Sequence, residues 1–525
     1  MQLYKRILLT FITLLIYNNF VFSQSLESDA ATNFDDENYR VALKQYLKLL
    51  NTDSNNVEFN YKIGICYLRT NVNKSNAVKY LEYADSVGYF ETDVKLNLGI
   101  AYTHAHRFDE AISMFKKYKE VIRDKIDTEK IRLLNRYVEE CENAKKLIEK
   151  PLDVSFYNLG TNINSQRSDY HPHVLPDGSM MVFSSNKKYI KDYQQYVENC
   201  YYSYPVKNDF GEWAKAISFG KYVNTDENEN VVALSIDGTK ALLHLDRVSA
   251  NNDLGITAIS GTRFKEPVVF DKNINTKFDE EGACFSVTRD TIIFASNKPE
   301  GQGGFDLYYI YKIGKDGWSK PENLGPAFNT PYDENFPEIS YDNKLRFASK
   351  GYNSMGGYDI FECYWDKDKN GWSKPKNFGY PVNDTYDNLN ISITKNGRYG
   401  YTAKWRKESV GDYDIYKVIF NDVPPTKIKY SGIIAIGDSI NPKPLSSVST
   451  DIKMKILDKM SGDVYIDLTE QAKNGAYNFE IIPGNYDFVI KGESYDLFHE
   501  ILIIYEEQTI ITEIKFNVYL KPKTQ

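Results

Sequence analysis

The chain has 525 residues, of which 42% are apolar and 14% aromatic, and its formal net charge is −8. This length allows several domains. Phosphate binding needs lysine and arginine clustered on one face, and no such cluster occurs here, so nucleic acid and anionic membranes are excluded as predicted partners.

The first 23 residues have the features of a secretory signal peptide. Lys5 and Arg6 precede the apolar run 7–16, which leads to a cleavage region at 21–23. We therefore predict cleavage before Gln24 and export of the chain. The run is too short to span a bilayer stably, although an uncleaved anchor is the alternative. No cysteine follows the run, so a lipoprotein anchor is not expected.

The cysteines are odd in number and widely spread, without a Cys-x-x-Cys pair. They are Cys66, Cys141, Cys200, Cys284 and Cys363. In an exported protein this pattern predicts at least one free thiol and no disulfide framework. We interpret them as small buried hydrophobic residues.

Residues 24–150 show helical periodicity with an internal repeat. Gly64, Tyr67 and Ala77 recur 35, 35 and 34 residues later as Gly99, Tyr102 and Ala111. This spacing is the tetratricopeptide pattern, in which small residues let paired helices approach closely. Ala42 marks a degenerate first repeat, and an amphipathic helix over about 127–150 is predicted to cap the array. The array is either a spacer or a concave groove for a partner.

A second repeat fills residues 151–423. Its clearest copy is 323–349, and its anchors lie at positions 160, 220, 272, 325 and 379, in steps of 60, 52, 53 and 54 residues. Such a period is typical of propellers and solenoids. Asp-Gly and Asn-Gly pairs between apolar alternations indicate two-residue hairpins. The sequence therefore predicts a five-bladed β-propeller.

A second phrase supplies the further strands that each blade needs. Asp306, Asp359 and Asp414 each open an alternating strand, and Gly-Trp-Ser-Lys-Pro occurs at 317 and again at 371. Because these aspartates recur, we interpret them as structural caps rather than catalytic groups. Pro424 and Pro425 then mark a linker. Residues 427–525 alternate apolar and polar in short strands, which predicts a small transthyretin-like β-sandwich.

Two motifs resemble sites but are better explained as turns. Gly437-Asp438-Ser439-Ile440 resembles the nucleophile motif of GDSL-type hydrolases, yet too little chain follows it for an α/β hydrolase domain. Asp366, Asp368 and Asn370 copy the first half of an EF-hand loop, but Asn377 stands where that loop needs glutamate. A weak calcium site remains the alternative for the second motif.

The histidines also give no strong candidate for a metal-binding or catalytic site. His171 and His173 form one close pair, and His104 and His106 form another, but neither has carboxylate or cysteine companions at ligand spacing. No Gly-x-Ser-x-Gly elbow appears. The sequence therefore predicts no catalytic, cofactor-binding or metal-binding residue, no cofactor, and no enzyme.

The module order adds a family resemblance. The blade phrases resemble WD40-like repeats of TolB-type propellers, and residues 475–479 with 482–486 resemble the carboxypeptidase regulatory-like domain. The whole order is similar to that of periplasmic OmpA-family proteins of Bacteroidetes, including the peptidoglycan-associated subunit of type IX secretion and gliding machineries. Those proteins continue into an OmpA-like domain that this sequence lacks after the sandwich. The resemblance therefore does not carry direct cell-wall binding over to this chain.

The resemblance implies a non-enzymatic scaffold or adaptor in the periplasm. Its protein partners would belong to an outer-membrane complex for secretion or motility, contacted by the helical groove and the propeller face. The alternative is a module that binds a cell-wall glycan or a peptidoglycan fragment by stacking aromatic rings on sugars. The candidate aromatics for that alternative are Tyr193, Tyr196, Tyr201, Tyr202 and Tyr204.

Overall fold

The computed structural model describes residues 25–89, 93–122, 128–192, 195–206, 212–248, 252–314, 317–366, 368, 371–445, 452–504 and 513–523. The predicted signal peptide lies outside these ranges, as do Gln24, Tyr193 and Asn370. Within the described ranges, no helix combines the length and the apolar character needed to cross a membrane.

The described N-terminal part contains seven α-helices, here called the helical array. They are α1 (25–35), α2 (Tyr39–Leu50), α3 (Val57–Arg69), α4 (Ala77–Ser86), α5 (Val94–His104), α6 (Phe108–Ile122) and α7 (Thr128–Ile148). A single 3₁₀ turn, Lys74–Asn76, precedes α4. The Asn56 side chain accepts a hydrogen bond from the backbone of Phe59 and so caps α3. The predicted helical segment is therefore confirmed.

Two glycines let paired helices touch. A Cβ atom at Gly64 would lie 2.6 Å from Leu81 Cγ, and one at Gly99 would lie 2.5 Å from Phe115 Cε1. Both distances are well inside van der Waals contact, so a larger side chain would push α3 from α4 or α5 from α6. The repeat spacing of these glycines thus reflects close helix packing.

Residues 154–420 form antiparallel sheets, here called the β region. Five sheets can be traced among the described residues. Sheet I contains β2 (Asp169–Val174), β3 (Met181–Ile190), β4 (Gln195–Ser203) and β5 (Ile217–Ser218). Sheet II contains β6 (Asn228–Leu234), β7 (Lys240–Asp246), β8 (Asp253–Ser260), β9 (Arg263–Phe264) and β10 (Val268–Val269). Sheet III contains β11 (Glu280–Phe285), β12 (Thr291–Ser296), β13 (Asp306–Ile313), β14 (Gly317–Trp318) and β15 (Glu322–Asn323).

The remaining two sheets bring the chain back to its start. Sheet IV contains β16 (Glu334–Ile339), β17 (Lys344–Ser349), β18 (Asp359–Asp366), β19 (Gly371–Trp372) and β20 (Lys376–Asn377). Sheet V contains β21 (Ser392–Ile393), β22 (Tyr399–Lys404), β23 (Asp414–Phe420) and the early strand β1 (Val154–Asn158). β1 pairs with β23 in the register Val154 to Phe420. Strand β2 contacts both β6 and β22, so the first sheet touches the last as well as the second.

The repeated Asn-Thr phrase has a hydrogen-bonding role. Asn329 Oδ1 accepts from the Leu307 backbone N–H at 2.8 Å, and its Nδ2 donates to the Leu307 carbonyl at 3.0 Å. One side chain therefore satisfies both backbone groups of a buried strand residue. The same arrangement joins Asn164 to Ile415, Asn224 to Cys200, Asn275 to Leu254, and Asn383 to Ile360. The asparagine recurs because each sheet needs this contact.

The recurrent aspartates at the starts of β13, β18 and β23 hold the loops before them. Asp306 accepts backbone hydrogen bonds from Gln302 and Gly303 and a side-chain bond from Asn323. Asp414 makes the equivalent three contacts in sheet V, and Asp359 in sheet IV accepts one backbone bond from Met355 and a side-chain bond from Asn377. This is the arrangement expected of structural caps.

Residues 428–520 form two further sheets around one core. The first contains β24 (Ile428–Ile436), β25 (Lys443–Pro444), β28 (Ala476–Ile481), β31 (Glu513–Lys515) and β32 (Val518–Leu520). The second contains β26 (Lys453–Asp458), β27 (Val464–Asp467), β29 (Gly484–Lys491) and β30 (Phe498–Ile504), and a short helix α8 (Thr469–Ala472) lies between strands. Side chains of both sheets share one cluster, in which Tyr430 and Phe479 stack at 5.2 Å. A helical segment followed by an all-β region is therefore confirmed.

Candidate functional site

A buried arginine joins the helical array to the β region. Arg136 on α7 is 4% exposed, and its guanidinium donates to the carbonyls of Lys350, Gly351 and Tyr352 at 2.7, 2.8 and 3.0 Å. Its Nε lies 3.3 Å from Glu140 Oε1. Burial raises the pKa of Glu140 to about 7, and Arg136 opposes that rise. We call this contact the joint.

The loop that Arg136 binds also completes the helical core. Met355 follows β17 in sheet IV, is fully buried, and belongs to the same apolar cluster as Leu134 and Ala144 of α7. Asn143 Nδ2 donates to the Ser354 carbonyl at 3.1 Å. The helices and sheet IV therefore share a core, and neither can move without exposing apolar surface.

The predicted histidine pair at 104 and 106 makes further contacts between the helical array and the β region. His104 Nδ1 is 3.2 Å from Thr385 Oγ1, and its ring is 4.8 Å from that of Tyr386. The His106 ring approaches Tyr380 at 6.1 Å. Burial lowers the pKa of both histidines, so they are neutral contacts at pH 7. Within the described residues, no group of three or more His, Cys, Asp or Glu side chains could hold a metal ion.

One repeat position is apolar and partly buried on alternate helices of the array. Tyr61 on α3, Leu96 on α5 and Ile131 on α7 hold it at 35-residue spacing, and we call these three residues the apolar stripe. The contacts with the β region come from other residues, among them Arg40 on α2, His104 at the end of α5, and Arg136 on α7. His104 lies eight residues beyond Leu96 on α5, which is about 12 Å along a helix. Leu96 is therefore remote from the contact that His104 makes with the β region.

The inner strands of the β region enclose a small polar cavity of about 40 Å³. Each sheet contributes to its lining, and His173 and Glu338 face each other with Nδ1 and Oε2 3.7 Å apart. Burial lowers the pKa of His173 to about 3 and raises that of Glu338 to about 7, against the opposing effect of Arg346. Both groups are thus neutral between those values, and the contact is not an ion pair. His171 lies nearby with neither ring nitrogen hydrogen-bonded in the described structure.

Glu338 should make stability depend on pH. Its folded-state pKa of about 7 exceeds the usual glutamate value, so its stabilising contribution is present at low pH and is lost as pH rises through 7. From pH 6.5 to 8 we expect the free energy of unfolding of wild type to fall by about 1 kcal/mol more than that of Glu338→Gln. Urea midpoints at the two pH values measure this difference. The exposed substitution Glu480→Gln should keep the wild-type slope, and an unchanged slope in Glu338→Gln would contradict the assignment.

A larger cavity of about 750 Å³ lies between sheets III and IV, and we call it the aromatic cavity. Tyr309, Tyr364, Trp365 and Trp372 line it, and the last two rings stand nearly perpendicular at 5.5 Å. Trp365 and Tyr364 are 42% and 56% exposed, so the cavity opens to solvent. Its polar lining residues are Ser286, Thr291, Asp342 and Asn343.

The four described tyrosines among those singled out from the sequence do not form one site. Tyr202 is buried in a core, and Tyr201 stacks on Phe183. Tyr196 is exposed and its ring lies 3.4 Å from the Arg167 guanidinium. Sequence analysis missed the aromatic cavity because its rings come from two repeats. These rings are distant in sequence and come together only where sheets III and IV pack.

The two turn motifs behave as backbone turns. Asp438 accepts backbone hydrogen bonds from Ile440 and Asn441. Asp366 accepts one from the backbone of Asp368. The five cysteines are buried free thiols, and burial raises the pKa of each.

Comparisons with known proteins give distant structural likenesses. No protein-family model matches the chain, and no curated protein matches it. The first TPR domain of human RPAP3 is 18% identical and covers 23% of this chain and 96% of its own, with a TM-score of 0.20. TolB from Acinetobacter baumannii is 13% identical and covers 54% and 69%, with a TM-score of 0.31. A Trypanosoma rangeli sialidase is 11% identical and covers 51% and 60%, with a TM-score of 0.30.

Scores this low carry no argument about function. A fold by itself neither implies nor excludes a catalytic activity. The function must be argued from the residues of this chain.

Proposed function

We propose that this chain is a non-enzymatic periplasmic scaffold that binds protein components of an outer-membrane complex, of the kind that serves type IX secretion or gliding. The observation that supports this proposal most directly is the apolar stripe of Tyr61, Leu96 and Ile131. Half-buried apolar residues repeated along a helical array form the kind of surface that accepts an extended peptide or a partner helix. The joint supports the same role, because it fixes that surface relative to the β region.

The finer architecture belongs to the same proposal. We take sheets I to V as five blades of a propeller that β1 closes by pairing with β23. We take the two C-terminal sheets as a transthyretin-like sandwich. The domain limits would then be 24–150, 151–423 and 427–525, after a signal peptide at 1–23. In this arrangement the helical array and the propeller form one unit, and the sandwich follows the linker at Pro424.

Recovery of partners from the native periplasm tests the scaffold. The full chain carries an affinity tag, is crosslinked in its own host, and is purified for mass spectrometry. Wild type should recover outer-membrane secretion or gliding components, and Leu96→Glu should recover about tenfold less, since a charge in an apolar contact opposes binding. Val87→Glu is the control, because Val87 is 50% exposed at the end of α4 and lies outside the stripe.

Circular dichroism must show that Leu96→Glu keeps its helices. Failure of the wild-type chain to recover any outer-membrane component would contradict the scaffold. Equal recovery by wild type and a folded Leu96→Glu variant would contradict the stripe as its contact.

A further inference from the structure

The aromatic cavity lies where the repeat has leucine in place of phenylalanine. Asn164, Asn224, Asn275, Asn329 and Asn383 hold one place in five successive repeats, so the residues five positions earlier are equivalent. Those residues are phenylalanine at 219, 270 and 378 but leucine at 159 and 324. Leu324 lines the cavity, and its smaller side chain leaves room that a phenylalanine ring would take.

The neighbouring junction shows how a phenylalanine fills this space. Between sheets II and III, the Phe270 ring packs edge-on against Trp318 at 6.3 Å. Leu324 and Trp372 are the equivalent pair between sheets III and IV, and both line the open cavity. Leu159 and Trp213 are the equivalent pair between sheets V and I, and both line a cavity of about 410 Å³. An open space therefore accompanies leucine at this place in the repeat.

A second departure adds an aromatic wall at the same place. Lys312 and Trp365 each follow a capping aspartate by six residues, and each pairs across strands with the tryptophan of the next strand. In sheet III the Lys312 amine lies over Trp318 at 5.9 Å. In sheet IV a tryptophan replaces that lysine and is 42% exposed at the cavity. Trp365 and its neighbour Tyr364, which is 56% exposed, form an exposed aromatic patch at the cavity, and such patches mark binding sites.

The chemistry of the lining selects the ligand. Exposed tryptophan and tyrosine faces carry negative π density, which attracts the C–H face of a pyranose ring. Ser286, Thr291 and Asn343 can bond the hydroxyls around such a ring. Burial opposes ionisation of Asp342, but the Ser340 hydroxyl, Arg346 and Lys344 hold its pKa below the usual value. A carboxylate at the lining accepts sugar hydroxyls and disfavours acidic ligands.

We propose that the aromatic cavity binds a short neutral oligosaccharide. Its volume of about 750 Å³ lies within the range of small-molecule sites. Trp365 and Trp372 supply the stacking faces, and Asp342 and Asn343 supply hydrogen-bond partners. This site does not depend on the scaffold role, and either can stand without the other.

Isothermal titration of the full mature chain tests the site. The probes are neutral trisaccharides of glucose, xylose, mannose and N-acetylglucosamine, with trigalacturonate, a proline-rich peptide and a short-chain fatty acid as the competing chemistries. We expect at least one neutral trisaccharide to bind and trigalacturonate not to bind. Binding of the peptide or the fatty acid without any trisaccharide would overturn the proposal, as would the absence of any trisaccharide binding at millimolar concentration.

Two substitutions restore what the neighbouring repeat contains. Leu324→Phe fills the cavity as Phe270 fills its junction, and Trp365→Lys returns the lysine of sheet III. Each should weaken trisaccharide binding about tenfold or more. Tyr222→Ala, at a 62% exposed tyrosine between β5 and β6, should bind as wild type. Because both restoring residues already occur at equivalent places, folded variants that bind normally would overturn the assignment.

Discussion

Replacing Arg136 by alanine is expected to destabilise the helical array by about 3–5 kcal/mol. The change leaves the carbonyls of Lys350, Gly351 and Tyr352 without their buried donor and leaves Glu140 without its cation. Two probes can follow the two parts separately, because all five tryptophans lie in the β region. In urea, circular dichroism should report loss of helix well before tryptophan fluorescence changes.

Arg132 gives a matched control one turn earlier on α7. Its side chain is 55% exposed, and it reaches the Pro331 carbonyl only at 3.5 Å. Arg132→Ala should therefore change stability by less than about 1 kcal/mol. If Arg136→Ala unfolds in a single transition at the wild-type midpoint, the joint does not couple the two parts as described.

Gly303→Ala is expected to cost about 3 kcal/mol in the stability of the β region. A Cβ atom there would lie 1.8 Å from the carbonyl oxygen of Tyr332, in the loop just before β16 of the neighbouring sheet. The obstacle is backbone rather than a flexible side chain, so the two sheets must separate. Gly411 has the equivalent place in sheet V and meets the Arg167 carbonyl at 2.3 Å. The urea midpoint of tryptophan fluorescence measures the effect.

Gly325→Ala separates crowding from backbone preference. Gly325 has φ of +78° but nothing within 4 Å of the position that a Cβ atom would take. Alanine there is therefore destabilising only because it must adopt the left-handed backbone conformation. That cost is about 1 kcal/mol. Equal destabilisation by the two substitutions would show that contact between sheets is not what requires glycine at 303.

Local contacts could be predicted from the sequence where each repeat needs the same residue type at the same place. Gly64 and Gly99 signalled helix contact, and the 35-residue spacing located it. The recurrent asparagines and aspartates signalled repeated sheets, because each unit uses them for the same hydrogen bonds. These residues act within one repeat or between neighbours, so periodicity exposes them.

Contacts between distant parts of the chain could not be predicted in this way, because no repeated residue marks them. Arg136 looks like any charged residue of an amphipathic helix, and its partners lie more than two hundred residues later. The pairing of β1 with β23 also joins segments that share no local pattern. The aromatic cavity could have been found by asking where repeats differ, since Trp365 stands out only against Lys312 at the equivalent place.

The scaffold proposal makes the stripe on the helical array the contact with the partner, and residue 96 lies at its centre. A photo-activated crosslinking amino acid placed at 96 in the full chain, in its native periplasm, tests that contact directly. We predict that it links to an outer-membrane secretion or gliding component, and that the same group at 87 does not. Crosslinking at 87 but not at 96, or at neither position, would contradict the account.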